Sequence, residues 1–459
     1  MANSFNQVFR GAAGSGGGDS YWISIAGTVS IPQPGIRVAA DADQNYYATI
    51  FESSRMLFVK YDKDGDILFR KKISTTRSTT PGDIALDSSN NIYMSASYDH
   101  ATTELDFALF KFNSSGSGQF GKSIGQNRQY DKNDLCYGLT IDSSDNIIIS
   151  GLSAKASGSQ PTRPSIVKYN SSGVVQWHKL ADTTADHGGN RVTCTSDGSD
   201  NVFVAAANEA GSFGGQDLVV LKYNSSGALQ FARAVGLSGT EYANGIALDS
   251  SGNIYVCGRS NSTGTAGGYD ALLAKLNSSG VIQWARLLGS SSTGPAGAGE
   301  FSTEVWNDIA IDGDDNIYVG GTFGTYNSNE IGAIAKYNSS GTLQWQNKFT
   351  PSGGSEPRSR VQGITIDVNG NIIITGEVKA ADLIGAGDFM LAKLPSDGSG
   401  TEDFGEFNYE SSSYTTASVT LSNEDLGIND VSTAMTVKTD LTTDTTDISY
   451  TEEFDSVTA

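Results

Sequence analysis

Proline, cysteine and histidine are all scarce in this chain. Proline is 9 of 459 residues, too few for a collagen or a proline-rich linker protein. The three cysteines, Cys136, Cys194 and Cys257, are odd in number and widely spaced. That argues against a disulfide framework and against a zinc site, and leaves them as small buried hydrophobes. The three histidines are His100, His178 and His187. None belongs to an H-x-E, H-x-x-x-H or H-E-x-x-H string, so a metallo-hydrolase is not supported. His178 reads as an exposed strand residue and the other two as loop residues. There is no G-x-S-x-G, no Cys-His-Asn signature and no S-x-D-x-G-x-T-W box. Positive charge is also short: 30 Lys plus Arg face 51 Asp plus Glu, a net charge of −21. Such a chain is repelled by phosphate backbones and anionic membranes, so neither nucleic-acid binding nor membrane insertion is expected. No run approaches the roughly 18 apolar residues of a membrane span. The first residues, MANSFNQVFRGAAGSGGG, lack a basic segment followed by an apolar one, so no signal peptide is expected.

Glycine, by contrast, is abundant at 54 residues, and aromatics reach 9%. Aromatic content at that level separates the chain from disordered polymers, and the glycine predicts many tight turns.

Internal repetition organises those turns. D-x-x-x-N recurs seven times, beginning at Asp41, Asp87, Asp142, Asp197, Asp249, Asp312 and Asp367. The Asn-to-Asn steps are 46, 55, 55, 52, 63 and 55 residues. A second string, Lys, an aromatic or Leu, then a turn ending in Gly, begins at Lys60, Lys111, Lys168, Lys222, Lys275, Lys336 and Lys393. Four residues after each of its first six glycines stands an aromatic: Phe69, Phe120, Trp177, Phe231, Trp284 and Trp345. Each repeat reads as four short strands around polar turns of Asn, Asp, Ser and Gly, residues that supply positive φ and local side-chain-to-backbone bonds. No window holds a helical period. Four strands per repeat, seven times over, predict an all-β chain: a seven-bladed β-propeller of four-stranded antiparallel blades.

The ends predict how the ring closes. After Gly398 the expected aromatic is missing, for Glu402 stands there. Gly18 and Trp22 restore the Gly-x-x-x-aromatic spacing at the other end of the chain. Residues 21–27 should therefore pair beside residues 389–393. The domains follow: an N-terminal arm at 1–17, the propeller at 18–398 and a tail at 399–459.

The pattern D-x-x-G/D-N-I-Y-V, then K-Y/L-N-S-S-G-x-L-Q-W, resembles the SBBP family of β-propeller repeats across residues 18–398. The resemblance implies the fold but no one function, since propellers serve as enzymes, lectins and scaffolds.

The tail differs in composition. It holds thirteen acids and one base, Lys438, and is rich in Ser and Thr. Apolar–polar alternation around Ala417, Val419 and Leu421, and at Met435 and Val437, predicts strands that pair with a partner chain. NSSG repeats, an acidic Ser/Thr-rich tail and no signal peptide together resemble tail- and fibre-associated virion proteins of marine tailed phages. That resemblance implies a non-enzymatic structural and interaction protein, made in the host cytoplasm and mounted in the particle. Its partners would be other virion proteins or copies of itself. The alternative is a lectin-like protein that reads host-surface glycans. A propeller hydrolase comes third.

Several candidate sites have plain structural roles. The N-x-S strings at Asn113, Asn170, Asn224, Asn277 and Asn338 occupy one hairpin turn in five repeats, and turn chemistry explains them. Two loops, at Asp312, Asp314 and Asp315 and at Asp62, Asp64 and Asp66, resemble calcium loops but lack the downstream Glu of an EF-hand, so no cofactor or metal is expected. Each repeat Asp should cap its own turn, and each repeat Lys should pair with that Asp or with a carboxylate of the next blade. Binding is expected on the face that carries the variable loops, 151–164, 207–217, 259–270 and 321–331 within blades and 289–305 between blades. Phe301, Trp306 and Tyr326 are its candidate aromatic contacts, with burial at the start of its blade the leading alternative for Trp306.

Overall fold

The computed structural model describes residues 4–10, 21–28, 35–75, 78–101, 104–125, 134–154, 162–182, 191–208, 213–261, 268–289, 304–324, 330–351, 357–379, 387–399, 407–412, 415–419, 422–425, 429–430 and 450–454. Among these residues every regular element is a β-strand, and the strands form seven antiparallel sheets. Blade 5 shows the plan. Glu241–Leu248, Ile254–Ser260, Asp270–Leu276 and Ile282–Gly289 follow one another outward. The first strands of the seven blades touch one another in a closed ring and line the axis.

Alternation explains why these runs are strands and how the blades stack. In Asp270–Leu276, Leu272, Ala274 and Leu276 pack with Phe203, Leu218 and Val220 of blade 4, while Ala271 and Leu273 pack with Trp306 and Val319 of blade 6. Both faces of each inner strand are thus buried, which suits their near-continuous apolar sequences. At about 25 cal/mol per Å² of apolar surface, this blade-to-blade burial is the main favourable contribution to the ring.

The ring closes with an N-terminal strand. Trp22–Thr28 pairs antiparallel with Asp388–Leu394, Trp22 opposite Lys393 and Ala26 opposite Phe389. It therefore serves as the fourth strand of blade 7, as the glycine–aromatic spacing predicts. Trp22 is fully buried, and its indole N–H donates to Lys63 O at 3.0 Å.

The glycine–aromatic spacing itself has a double cause. In each of the seven turns that follow the repeat lysine the glycine has positive φ, 73–86°, a conformation that side chains disfavour. The same glycine faces the aromatic of the preceding blade. A Cβ on Gly227 would lie 2.9 Å from the Trp177 ring, and one on Gly65 would lie 2.7 Å from Trp22. Ring and glycine are one contact repeated around the propeller, and Trp22 on Gly65 is the copy that joins the two chain ends.

The tail does something the sequence does not announce. Phe407–Ser411 adds a fifth strand to the outer edge of blade 6, Thr415–Val419 to blade 5, Ser422–Asp425 to blade 4, Asn429–Asp430 to blade 3 and Tyr450–Phe454 to blade 1. Ser4–Arg10 does the same for blade 7. The strand expected around Ala417 and Val419 pairs with its own propeller and not with a partner chain, while Leu421, Met435 and Val437 lie outside the described residues. The physical reason is that outer strands expose unpaired N–H and C=O groups, and a tethered strand finds them before a free one can. Tyr409 anchors the start of this belt. It is buried, stacks on Phe349 at 5.0 Å between ring centres, and receives a hydrogen bond from Asn347 at 2.7 Å.

Candidate functional site

One face of the ring carries the short turns. Each repeat Asp sits where its first strand ends and caps the following turn. Asp249 accepts from Ser251 N at 3.0 Å, Asn253 N at 2.8 Å, Asn253 Nδ2 at 2.8 Å and Tyr255 OH at 3.1 Å. Asp41, Asp87, Asp142, Asp197, Asp312 and Asp367 each accept from the backbone N–H of their Asn in the same way. The lysines reach across blades. Lys111 donates to Ser171 O at 2.9 Å and Lys275 to Ser339 O at 3.2 Å. Lys168, Lys336 and Lys393 make longer bonds of the same kind, each 3.5 Å. Lys168 also meets Asp142 at 2.6 Å, and Lys275 meets Asp249 at 3.3 Å. Lys60 and Lys222 lie over the Tyr47 and Phe203 rings at 4.9 and 4.7 Å. Acids in the turns link neighbours as well: Asp145 receives Ser88 Oγ at 2.6 Å, and Asp315 receives Ser250 Oγ at 2.8 Å.

That accounting bears on the two calcium-like loops. Asp312 accepts from Asp314 N, Asn316 N and Tyr318 OH, and Asp315 belongs to Ser250. Asp62 accepts from Asp64 N and Asp66 N. These oxygens are spent on turns. Among the described residues no group of three or more His, Cys, Asp or Glu could hold a metal.

Burial raises the Asp249 pKa, but bonds from Asn253 and Tyr255 outweigh it and leave the carboxyl below its ordinary value. A carboxyl depressed in the folded state stabilises above its unfolded pKa, near 4, and loses that contribution as pH falls through its folded value. Asp249→Ala should therefore cost about 1–2 kcal/mol at pH 7 by urea unfolding, and the difference from wild type should shrink below about pH 4.

The axis holds a charged cluster that sequence reasoning missed. The first strands carry bulges, at 35–38, 81–84, 136–138, 243–245, 306–308 and 361–363. A bulge re-aims a side chain. Arg37 and Asp83 lie within two of these bulges, and Asp308 ends a third. The Arg37 guanidinium is 3.9 Å from both Asp83 and Asp308, and it donates to the carbonyls of Ile36 and Gln362. Asp83 accepts Leu139 N of blade 3 at 3.1 Å, and Asp308 accepts Ile364 N of blade 7 at 3.0 Å. Asn307 Nδ2 donates to Val361 O at 2.8 Å, and Asn244 Nδ2 to Trp306 O at 3.0 Å. These bonds tie blades together around the axis. Burial pushes the Asp83 carboxyl up to about 6 against the pull of Arg37, and lowers Arg191 to about 10. The cysteines are buried free thiols, and burial pushes Cys194 up to about 12.

The opposite face carries the long loops. Of the three aromatics expected there, Phe301 and Tyr326 lie outside the described residues. Trp306 is fully buried and packs against Phe323 at 4.9 Å, so it is core at the start of its blade and not a surface contact. His178 is likewise not an exposed strand residue. It is partly buried, bonds Ser165 Oγ at 2.9 Å, and burial lowers its pKa to about 4, so it is neutral at pH 7. The neighbouring Asp134 is held by Ser153 at 2.6 Å. On the same face Asp270 and Asp388 each begin a third strand. Burial, with Glu304 and Glu377 respectively, raises each to about 7.

Comparison with known proteins agrees with this geometry. Residues 230–264 match the β-propeller repeat SBBP, and residues 313–343 match a second β-propeller domain, DUF5122. Both matches are propeller repeats. Together they cover less than half of the chain. No curated protein matches it. Among solved structures, a catalytically inactive virginiamycin B lyase from Staphylococcus aureus, crystallised with quinupristin, is similar at 8% identity and a TM-score of 0.46, covering 85% of this chain and 100% of its own. The soluble aldose sugar dehydrogenase from Escherichia coli is similar at 11% identity and a TM-score of 0.38, covering 71% and 100%. These distant propellers include enzymes, and at such identities they say nothing about chemistry here.

Proposed function

We propose that this chain is a non-enzymatic structural and interaction protein, a rigid propeller that meets protein partners or a host surface through its loop face. We place it on the tail or fibre apparatus of a phage particle. The observation that carries the reading is the contrast between the two faces. On the turn face, Asp, Ser and Lys groups are consumed by turns and by bonds between neighbouring blades. The outer edges of six blades are covered by strands from the two chain ends. The loop face is where length and composition vary from repeat to repeat, and variable loops on a rigid scaffold are where specificity usually resides.

Deleting residues 291–299 from the longest inter-blade loop tests this. Docking or attachment should fall while the thermal unfolding midpoint moves by no more than about a degree or two, because closure entropy changes only slowly with loop length. Unchanged attachment with a normal fold would count against the loop face.

A further inference from the structure

We propose that Tyr242, Arg259 and Tyr269 of blade 5 form a recognition site for the carboxylate of an acidic saccharide. The proposal rests on the loop-face reading and names the ligand chemistry of one place on it. Tyr242 stands directly opposite Arg259 across the first two strands of the blade. Tyr269 immediately precedes the third strand, which begins at Asp270. The Arg259 guanidinium lies 4.6 Å from the centre of the Tyr242 ring and 4.5 Å from that of Tyr269, and the rings are 5.8 Å apart. A cation packed against two adjacent rings is oriented before any ligand arrives, which lowers the ordering cost of binding.

The frame around the site is fixed. Asn261 N donates to Thr240 O at 3.1 Å, and Asn261 Oδ1 accepts Thr240 N at 2.6 Å, which pins the ends of the strands carrying Tyr242 and Arg259. Glu304 N donates to Tyr269 O at 3.0 Å and holds the second tyrosine in place.

The repeat supplies an internal control. The pair opposite each other at this level is Thr80 and Ser97 in blade 2, Leu135 and Leu152 in blade 3, and Val305 and Thr322 in blade 6. Blade 7 has Arg360 opposite Glu377. There the guanidinium meets Glu377 at 3.2 Å and Glu330 through Nε at 2.8 Å. In blade 5 the equivalent of Glu377 is Arg259 itself, and a tyrosine stands where Arg360 would be. Among the described residues, Arg259 has ring contacts but no carboxylate partner. It lies only partly buried, in a chain whose net charge is −21. A planar guanidinium fork with no carboxylate among the described residues, beside tyrosine rings that suit sugar faces, matches the carboxylate and ring of a uronic acid.

The probe is trigalacturonate, titrated calorimetrically into the full chain, with its methyl ester and an acidic tripeptide as comparators. Wild type should bind the acid at least tenfold more tightly than the ester or the peptide, and added salt should weaken binding. Arg259→Gln should lose at least tenfold with an unchanged thermal midpoint. Arg259→Lys, which keeps charge but loses the fork, should lose nearly as much. Equal affinity for acid and ester, or retention of binding in Arg259→Gln, overturns the site, and preference for the peptide overturns the saccharide assignment. If Arg259→Gln is silent while deletion of 291–299 still abolishes attachment, this inference fails and the loop-face reading stands.

Discussion

Arg37→Met is expected to destabilise the propeller by about 3–5 kcal/mol at pH 7, because it leaves two partly buried carboxylates without the buried cation between them. Asp83 and Asp308 are each 3.9 Å from that guanidinium, and Arg37 is 6% exposed. The pH dependence distinguishes this cause from lost packing. Asp83 already sits up at about 6 through burial, against an unfolded value of 3.8. A carboxyl raised in the folded state stabilises most below its unfolded pKa and loses that contribution as pH rises through the folded one. Without Arg37 the folded value climbs further. The variant's deficit should therefore be largest near pH 8 and should narrow toward pH 5. Urea unfolding at both values reads this, and a deficit independent of pH would mean that methionine merely packs badly.

Trp22→Ala should cost a similar amount, about 3–5 kcal/mol, although Trp22 lies close to the N-terminus in sequence. The side chain is fully buried among Tyr46 and Tyr61, each 5.8 Å away between ring centres. It touches residues of blades 1 and 7 at once, so its loss opens the seam rather than a single blade. Phe231→Ala, at an equivalent position within an uninterrupted stretch of chain, should cost less, because blades 4 and 5 stay tethered by continuous backbone. Equal costs in calorimetry would show that the seam is no weaker than any other blade interface.

The ring and its closure were legible because their signals are local and repeated. A turn that needs positive φ selects Gly, and the ring packed on that glycine selects an aromatic, so Gly65 and Trp22 declare each other across the chain ends. The Asx turns were legible for the same reason. The axial cluster was not, because Arg37, Asp83 and Asp308 occupy bulges whose offset differs from blade to blade, and no fixed spacing marks them. The belt strands were only half legible. Alternation around Ala417 and Val419 marked a strand, but polar edge strands satisfy backbone groups wherever an edge is open, and nothing in their side chains names the edge. Trp306 was open to two readings, because an aromatic beside a long loop can be a contact or the start of a core strand, and its neighbour Phe323 makes it core. Tyr242, Arg259 and Tyr269 went unnoticed because their meeting depends on cross-strand register, not on spacing in sequence.

The most direct test of the account is hydroxyl-radical footprinting of the chain, free and within the phage particle proposed to carry it. If the loop face is the contact face, Tyr242 and Tyr269 should lose reactivity in the assembled state. Trp177 and Trp284, which sit against the turns of the following blades, should keep theirs. Protection of Trp177 and Trp284 with Tyr242 and Tyr269 unchanged would contradict the account.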